Sequence, residues 1–199
     1  LYHSIETQKS LYQNLSRTFK RILIQDSTSI QLDSKLAQQF PGSKNATNKK
    51  FAIMKIQVIY DLLCERFVDF NISAFTKNDQ QASRDILSII RAGDLIIRDL
   101  GYFVLSVFHA IDLKGGYYIC RLRQDVSLYE LDGKTSINLL QELRKYGRLD
   151  LNVIVGAKEK LHVRLVALPV PEHVAAERRR KAKRNRDRRL NPSKEHLAL

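Results

Sequence analysis

The sequence is poor in everything that would staple, anchor or export it. Its 199 residues include two cysteines, Cys64 and Cys120, far apart and in no Cys-x-x-Cys pair. That spacing argues against a disulfide scaffold and structural zinc and points to a reducing cytosol. The five histidines are scattered and form no His-Glu-x-x-His motif. No apolar run reaches the ~18 residues a membrane helix needs, and no secretory signal is visible. The expectation is a cytoplasmic protein with no membrane partner. Met54 is the only methionine and the chain begins at Leu1, so it is expected to be a piece of a longer protein.

Positive charge is abundant but uneven. The formal net charge is +13, and residues 178–189, RRRKAKRNRDRR, hold nine basic residues and one acidic one, a net +8 that leaves +5 for the rest. Such a run is either a solvated tail or an arm that contacts phosphates. The hydrophobic fraction of 44% is ordinary for a globular chain, and the length suits one domain with an insertion.

The periodicities divide the chain into four parts. Ile5, Leu11, Leu15 and Phe19 fall at near-helical spacing, which predicts an amphipathic helix over 1–19. Residues 20–124 alternate strands with helices. Strand 20–32 comes first, then a polar loop over 40–50, two tightly joined strands at 51–63 and 66–75, and a helix over 80–91. That helix is capped by Asn78 or Asp79, carries Ala82, Ile86, Ile89 and Ile90 as its apolar stripe, and stops at Gly93. A short strand at 94–99, a helix in YFVLSVFHAIDL and a strand at 117–123 follow. The order β-β-β-α-β-α-β predicts an α/β fold, a mixed sheet covered by helices with the order of a ribonuclease H-like core. Residues 125–171 read as an appended β-rich insertion: a strand in VSLYEL, a short helix over 136–146 and a hairpin from LNVIV to LHVRLVAL. Residues 172–199 are a basic helix or tail. Pro171 and Glu172 suit the start of a helix there, and after Ala176 almost nothing can be buried.

One strand carries a carboxylate in an unexpected place. In RILIQDSTSIQL, alternate residues put Ile22, Ile24, Asp26, Thr28, Ile30 and Leu32 on one face. That face is the one expected to point inward. A carboxylate there must be paired, protonated or bound to a metal. Asp99 ends the fourth strand, the neighbour of the first in a sheet of this order, and ligands bind near strand ends. Two such carboxylates would repel unless a divalent cation such as Mg²⁺ lay between them. Spacing alone leaves a backbone-bonded Asp26 open and favours a turn-forming Asp99 over a ligand. Asp79 and Asp85 read as cap and surface residues.

The stretches QDSTSIQL, FPG, KNDQ, GDLIIRDLGYF and GGYYICRLR, in this order, resemble the DDE transposases of bacterial insertion sequences. The nearest likeness is to the fourth insertion-sequence family, whose members carry a β-rich insertion before the last catalytic residue. The likeness covers about residues 20–190. It implies that Asp26, in an Asp-x-Thr motif with Thr28, and Asp99, followed by Gly101 and Tyr102, are the first two catalytic and metal-binding acids. Thr28 and Tyr102 would support them, and Mg²⁺ or Mn²⁺ would be the cofactor. DNA, both transposon ends and target, would be the partner, with a homodimer in the synaptic complex and a bacterial, nucleoid-associated location. Lys49, Lys50, Arg121, Arg178, Arg179, Arg180, Lys181, Lys183 and Arg184 are the candidate DNA contacts.

The third acid of that family is a Glu in a Tyr-x2-Arg-x3-Glu-x6-Lys motif. Tyr118 and Arg121 fit its first half, but Asp125 stands where the Glu should be and Asp132 where the Lys should be. This stretch also precedes the insertion rather than following it. The expectation is therefore a truncated transposase holding two of three ligands and inactive by itself. The competing readings are a non-catalytic DNA-binding remnant and an RNA-binding protein with a basic tail, the latter disfavoured by Asp26 and the strand order.

Overall fold

The computed structural model describes residues 13–42, 51–123 and 125–184. The chain divides into two compact units, Leu1–Arg123 and Gln124–Leu199. Among the described residues no helix is long and apolar enough to cross a membrane.

In the first unit residues 13–18 are helical, α1, and residues 1–12 of the helix expected over 1–19 lie outside the described residues. A five-stranded sheet follows, built from β1 (Arg21–Leu32), β2 (Ala52–Asp61), β3 (Arg66–Ala74), β4 (Asp94–Arg98) and β5 (Tyr117–Cys120) in the order β3-β2-β1-β4-β5. β1 and β2 are antiparallel, as are β2 and β3, whereas β1, β4 and β5 run parallel. The tight β2–β3 connection permits a hairpin, and the parallel pairs need helical crossovers. Those crossovers are α2 (Asp79–Ala82) with a 3-10 turn at Asp85–Ser88, and α3 (Leu105–Leu113).

One face of the sheet is covered. Leu23 and Ile96 pair across β1 and β4, and both are fully buried, with Ile59 of β2 beside them. Helix α3 buries Val107, Phe108 and Ile111, and the segment before β4 buries Ala82, Ile86 and Ile90. Phe108 stacks on Tyr118 of β5 at 4.5 Å. Toward the strand ends this covered face turns polar, with Gln25, Lys55, Gln57 and Arg98 all buried. At its other end Arg21 donates two hydrogen bonds to the buried Asp94 and a third to the Ile89 carbonyl. The guanidinium fork matches a carboxylate in two parallel bonds, which is how a buried charge is tolerated in a sheet.

The opposite face is open over much of its area. Ile22 and Leu95 are buried there, but Phe67, Phe70, Ile72, Tyr117 and Ile119 are exposed. The ladder places them on one side: Ile24 pairs with Tyr60 and Ile97, Tyr60 with Phe67, Val58 with Phe70, Ile56 with Ile72, and Ile97 with Ile119. A bulge at Ile59/Tyr60 leaves Val68 unpaired and returns Phe67 to the face of Phe70.

Two sequence expectations change here. The helix expected over 80–91 is broken into α2 and the 3-10 turn. Its stripe is right, since Ala82, Ile86 and Ile90 are buried, but the chain is pinned in the middle. Ser83 donates its hydroxyl to the Tyr102 carbonyl, and its own carbonyl takes the Arg98 guanidinium. These tertiary bonds outweigh the propensity of a short helix, which is marginal without packing. The helix expected in YFVLSVFHAIDL starts only at Leu105, because residues Leu100–Tyr102 form a 3-10 turn.

In the second unit, β6 (Leu128–Tyr129), β7 (Leu149–Val155) and β8 (Leu161–Ala167) form an antiparallel sheet in that order. Leu149, Val153, Val155, Leu161 and Leu165 make its buried side. Helix α4 (Leu139–Tyr146) is capped by Asn138 and ends at Gly147, whose positive φ of 71° lets its N–H reach the Leu143 carbonyl. Helix α5 (Glu172–Arg184) closes the described chain.

Candidate active site

The parallel ladder between β1 and β4 runs from Arg21 opposite Asp94 to Gln25 opposite Arg98. Asp26 and Asp99 are the next residues on the two strands. Neighbouring strands lie about 4.8 Å apart, and Asp99 keeps an extended backbone (φ −81°, ψ 170°). The alternation therefore carries on by one step, and both carboxylates fall on the open face, after Ile24 and Ile97.

Asp26 is exposed, which corrects the expectation that its face is the inward one. The face does carry Ile22, Ile24 and Ile30, but covering residues reach only its first part, and Ile30 is 43% exposed. Asp26 thus avoids the desolvation cost that a buried carboxylate would carry. Its Oδ1 accepts the Ser27 N–H at 2.8 Å. Asp99 is exposed too, and its Oδ1 stands 3.4 Å from the Arg121 guanidinium, an ion pair whose side chains are about two-thirds exposed. Such a pair is loose and worth little.

Thr28 is exposed on the same face as Asp26, opposite Ile56. Tyr102 is buried, with the Arg98 guanidinium 5.2 Å from its ring centre. Burial pushes its phenol up to about 12, and the nearby Asp79 and Asp26 carboxylates add to the shift. Arg98 loses water as well, and its pKa falls to about 10.

A group that sequence reasoning passed over stands behind Asp26. Asp79 is not a cap, because Asn78 fills that role in a capping box with Gln81. Its Oδ1 instead accepts the Ser27 hydroxyl at 2.9 Å and meets the ammonium of buried Lys55 at 2.6 Å. The signal in the sequence was Lys55 itself, a lysine inside the apolar alternation of β2. Asp85 does lie near the surface, paired with Lys77 at 2.8 Å.

Among the described residues, no three His, Cys, Asp or Glu side chains come together to hold a metal ion. Two carboxylates on neighbouring parallel strands are nonetheless the donor set that a hard divalent cation takes alongside water and phosphate. The candidate DNA contacts are dispersed. Lys49 and Lys50 lie outside the described residues. Arg178 and Arg180 are exposed on α5, while the side chains of Arg179, Lys181, Lys183 and Arg184 on the same helix fall outside the described set.

The profile of a transposase DDE domain matches residues 17–197. The chain belongs to the transposase DDE-domain family. It is similar to the transposase of insertion sequence element IS231B from Bacillus thuringiensis subsp. berliner, at 31% identity over 182 residues, covering 82% of this chain and 38% of that protein. The transposase of element IS231F from Bacillus thuringiensis subsp. israelensis is 37% identical over 129 residues, or 65% of this chain and 27% of its own. The transposase of element IS1151 from Clostridium perfringens is 25% identical over 197 residues, 89% of this chain and 41% of its own. The chain thus spans about two-fifths or less of the relatives' length. The resemblance to DDE transposases of bacterial insertion sequences stands, and the mixed five-stranded sheet is consistent with a ribonuclease H-like DDE fold.

Proposed function

We propose that this chain is part of the catalytic domain of an insertion-sequence transposase, with Asp26 and Asp99 as two of its metal-binding acids. The observation that carries this reading is the register of β1 and β4, in which Asp26 and Asp99 each follow the last paired residues of the parallel ladder, Gln25 and Arg98. The first unit is read as the ribonuclease H-like core and residues 125–171 as the β-rich insertion of the fourth insertion-sequence family.

A divalent cation bound there, Mg²⁺ or Mn²⁺, supplies Lewis-acid activation of the attacking oxygen and neutralises charge at the leaving oxygen in phosphodiester cleavage and transfer. The chain's own part is to hold two carboxylates exposed on neighbouring parallel strands. Arg121, next to Asp99, gives a phosphate a cationic neighbour, and the basic side chains of α5 offer non-specific contacts to DNA. A homodimer on paired transposon ends completes the picture.

The test uses the full-length parent protein. Asp26→Ala and Asp99→Ala should each abolish Mg²⁺-dependent cleavage of transposon-end DNA while leaving the thermal transition in place. Retained cleavage in either variant overturns the assignment. We further propose that these 199 residues hold only two of the three acids, a reading that rests on Asp125 standing where the family's Glu is expected. Purified, this chain should bind DNA without nicking it. Specific nicking abolished by Asp26→Ala would show that a third ligand is present.

A further inference from the structure

We propose that Asp79, held by Lys55, is a positioning residue that fixes Asp26 through Ser27. The proposal rests on the reading of Asp26 and Asp99 as metal ligands.

The need for such a device follows from the ladder. Beyond Gln25, β1 loses its partner on the β4 side, although β2 still pairs with it through Leu32. Asp26 therefore sits where the sheet opens, its backbone supported from one side. Asp79 fills the missing support on the covered face. Its Oδ1 takes the Ser27 hydroxyl at 2.9 Å, and the Ser27 N–H in turn donates to Asp26 Oδ1 at 2.8 Å. One residue thus links the two carboxylates, its side chain toward Asp79 and its main chain toward Asp26.

Asp79 is itself located from two further directions. The Lys55 ammonium reaches the same oxygen at 2.6 Å, with only 8% of its side chain exposed. A buried ammonium holds its partner firmly because it has little water to turn to. On the other side, a Cβ on Gly101 would come within 2.9 Å of Asp79 Oδ2. Only glycine lets the loop after Asp99 approach this closely. The Asp79 carboxylate thus meets β1, β2 and the loop that follows Asp99. Outer contacts of this kind orient metal ligands, and their loss costs 10- to 100-fold in metal affinity.

The experiment follows Mn²⁺ binding to the whole chain by selective broadening of backbone amide signals, with thermal unfolding of each variant alongside. Amides near Asp26 and Asp99 should broaden in the wild type and not in Asp26→Ala. Ser27→Ala and Asp79→Asn should each raise the Mn²⁺ concentration for half-broadening by about ten-fold. Their combination should do no more than the worse single change, since both cut one chain of contacts. Ser27→Thr, which keeps the hydroxyl, should restore wild-type binding. Ser27→Ala leaves no buried charge unpaired, so its thermal midpoint should hold even if Asp79→Asn, which strands Lys55, lowers its own. Wild-type Mn²⁺ affinity in Ser27→Ala, with binding lost in Asp26→Ala, overturns the positioning role and leaves the metal site standing. No selective broadening in the wild type removes the metal site and the positioning role together.

Discussion

Burial sets the chemistry of the ionisable side chains around Asp99. Desolvation pushes the Tyr102 and Tyr118 phenols up to about 12 and the Cys120 thiol up to about 11. All three are acids, so each keeps its proton in the fold at a pH where the unfolded chain, with reference values of 10.0 and 9.0, has lost it. Stability contributed this way is intact below about pH 9 and falls as pH rises toward about 11 to 12. Chemical denaturation at a series of pH values should show the midpoint dropping through that window, and Cys120→Ala should remove the earliest part of the drop. A flat profile would contradict the burial. The same shift leaves about one Cys120 thiol in a thousand ionised at pH 8, and the thiolate is the reactive form. Iodoacetamide should therefore label the exposed Cys64 well before Cys120, as read by mass spectrometry.

Among the elements, α5 shows how little of a charged helix is decided by packing. Glu172 opens it, Pro171 offers its carbonyl to the Val174 and Ala175 N–H groups, and among its described residues Ala175 alone is in the core. Beyond that, the sequence places like charges at i,i+4 spacing, which repel. A polyanion relieves that repulsion, so circular dichroism should report more helix when duplex DNA is added. Each phosphate contact contributes roughly 0.9 to the slope of log affinity against log salt. Arg178→Ala with Arg180→Ala should lower that slope by up to about 1.8 and weaken binding similarly for unrelated sequences. An unchanged slope would make the run a solvated tail.

At the scale of the molecule, the first unit has one covered sheet face and one that carries Phe67, Phe70, Ile72, Tyr117 and Ile119 in the open, with Phe67 64% and Phe70 58% exposed. Exposed apolar side chains gathered on one sheet face mark a place where something binds or where the chain is prone to associate. The folded chain should enhance the fluorescence of anilinonaphthalene sulfonate while keeping a cooperative thermal transition, unlike a molten state. Phe67→Ser with Phe70→Ser should cut that signal and leave the transition nearly unmoved, since neither ring is buried. A signal that disappears only when the transition does would point to partial unfolding instead.

The strands of the first unit were legible in the sequence because alternation of apolar residues is a local property. β1 was expected at 20–32 and is Arg21–Leu32, and the two strands of the β2–β3 hairpin fall within two residues of their expected ends. Asp26 and Asp99 could be picked out by motif, and their adjacency follows from parallel register. Which face is covered could not be read, because alternation defines two faces without saying where the helices land. For that reason Asp26 was expected inside and is exposed. Asp79 was equally out of reach. Its partners Lys55, Ser27 and Gly101 lie between 22 and 52 positions away in the chain, and only folding the crossover between β3 and β4 back over the sheet brings a residue that looked like a helix cap against a buried lysine.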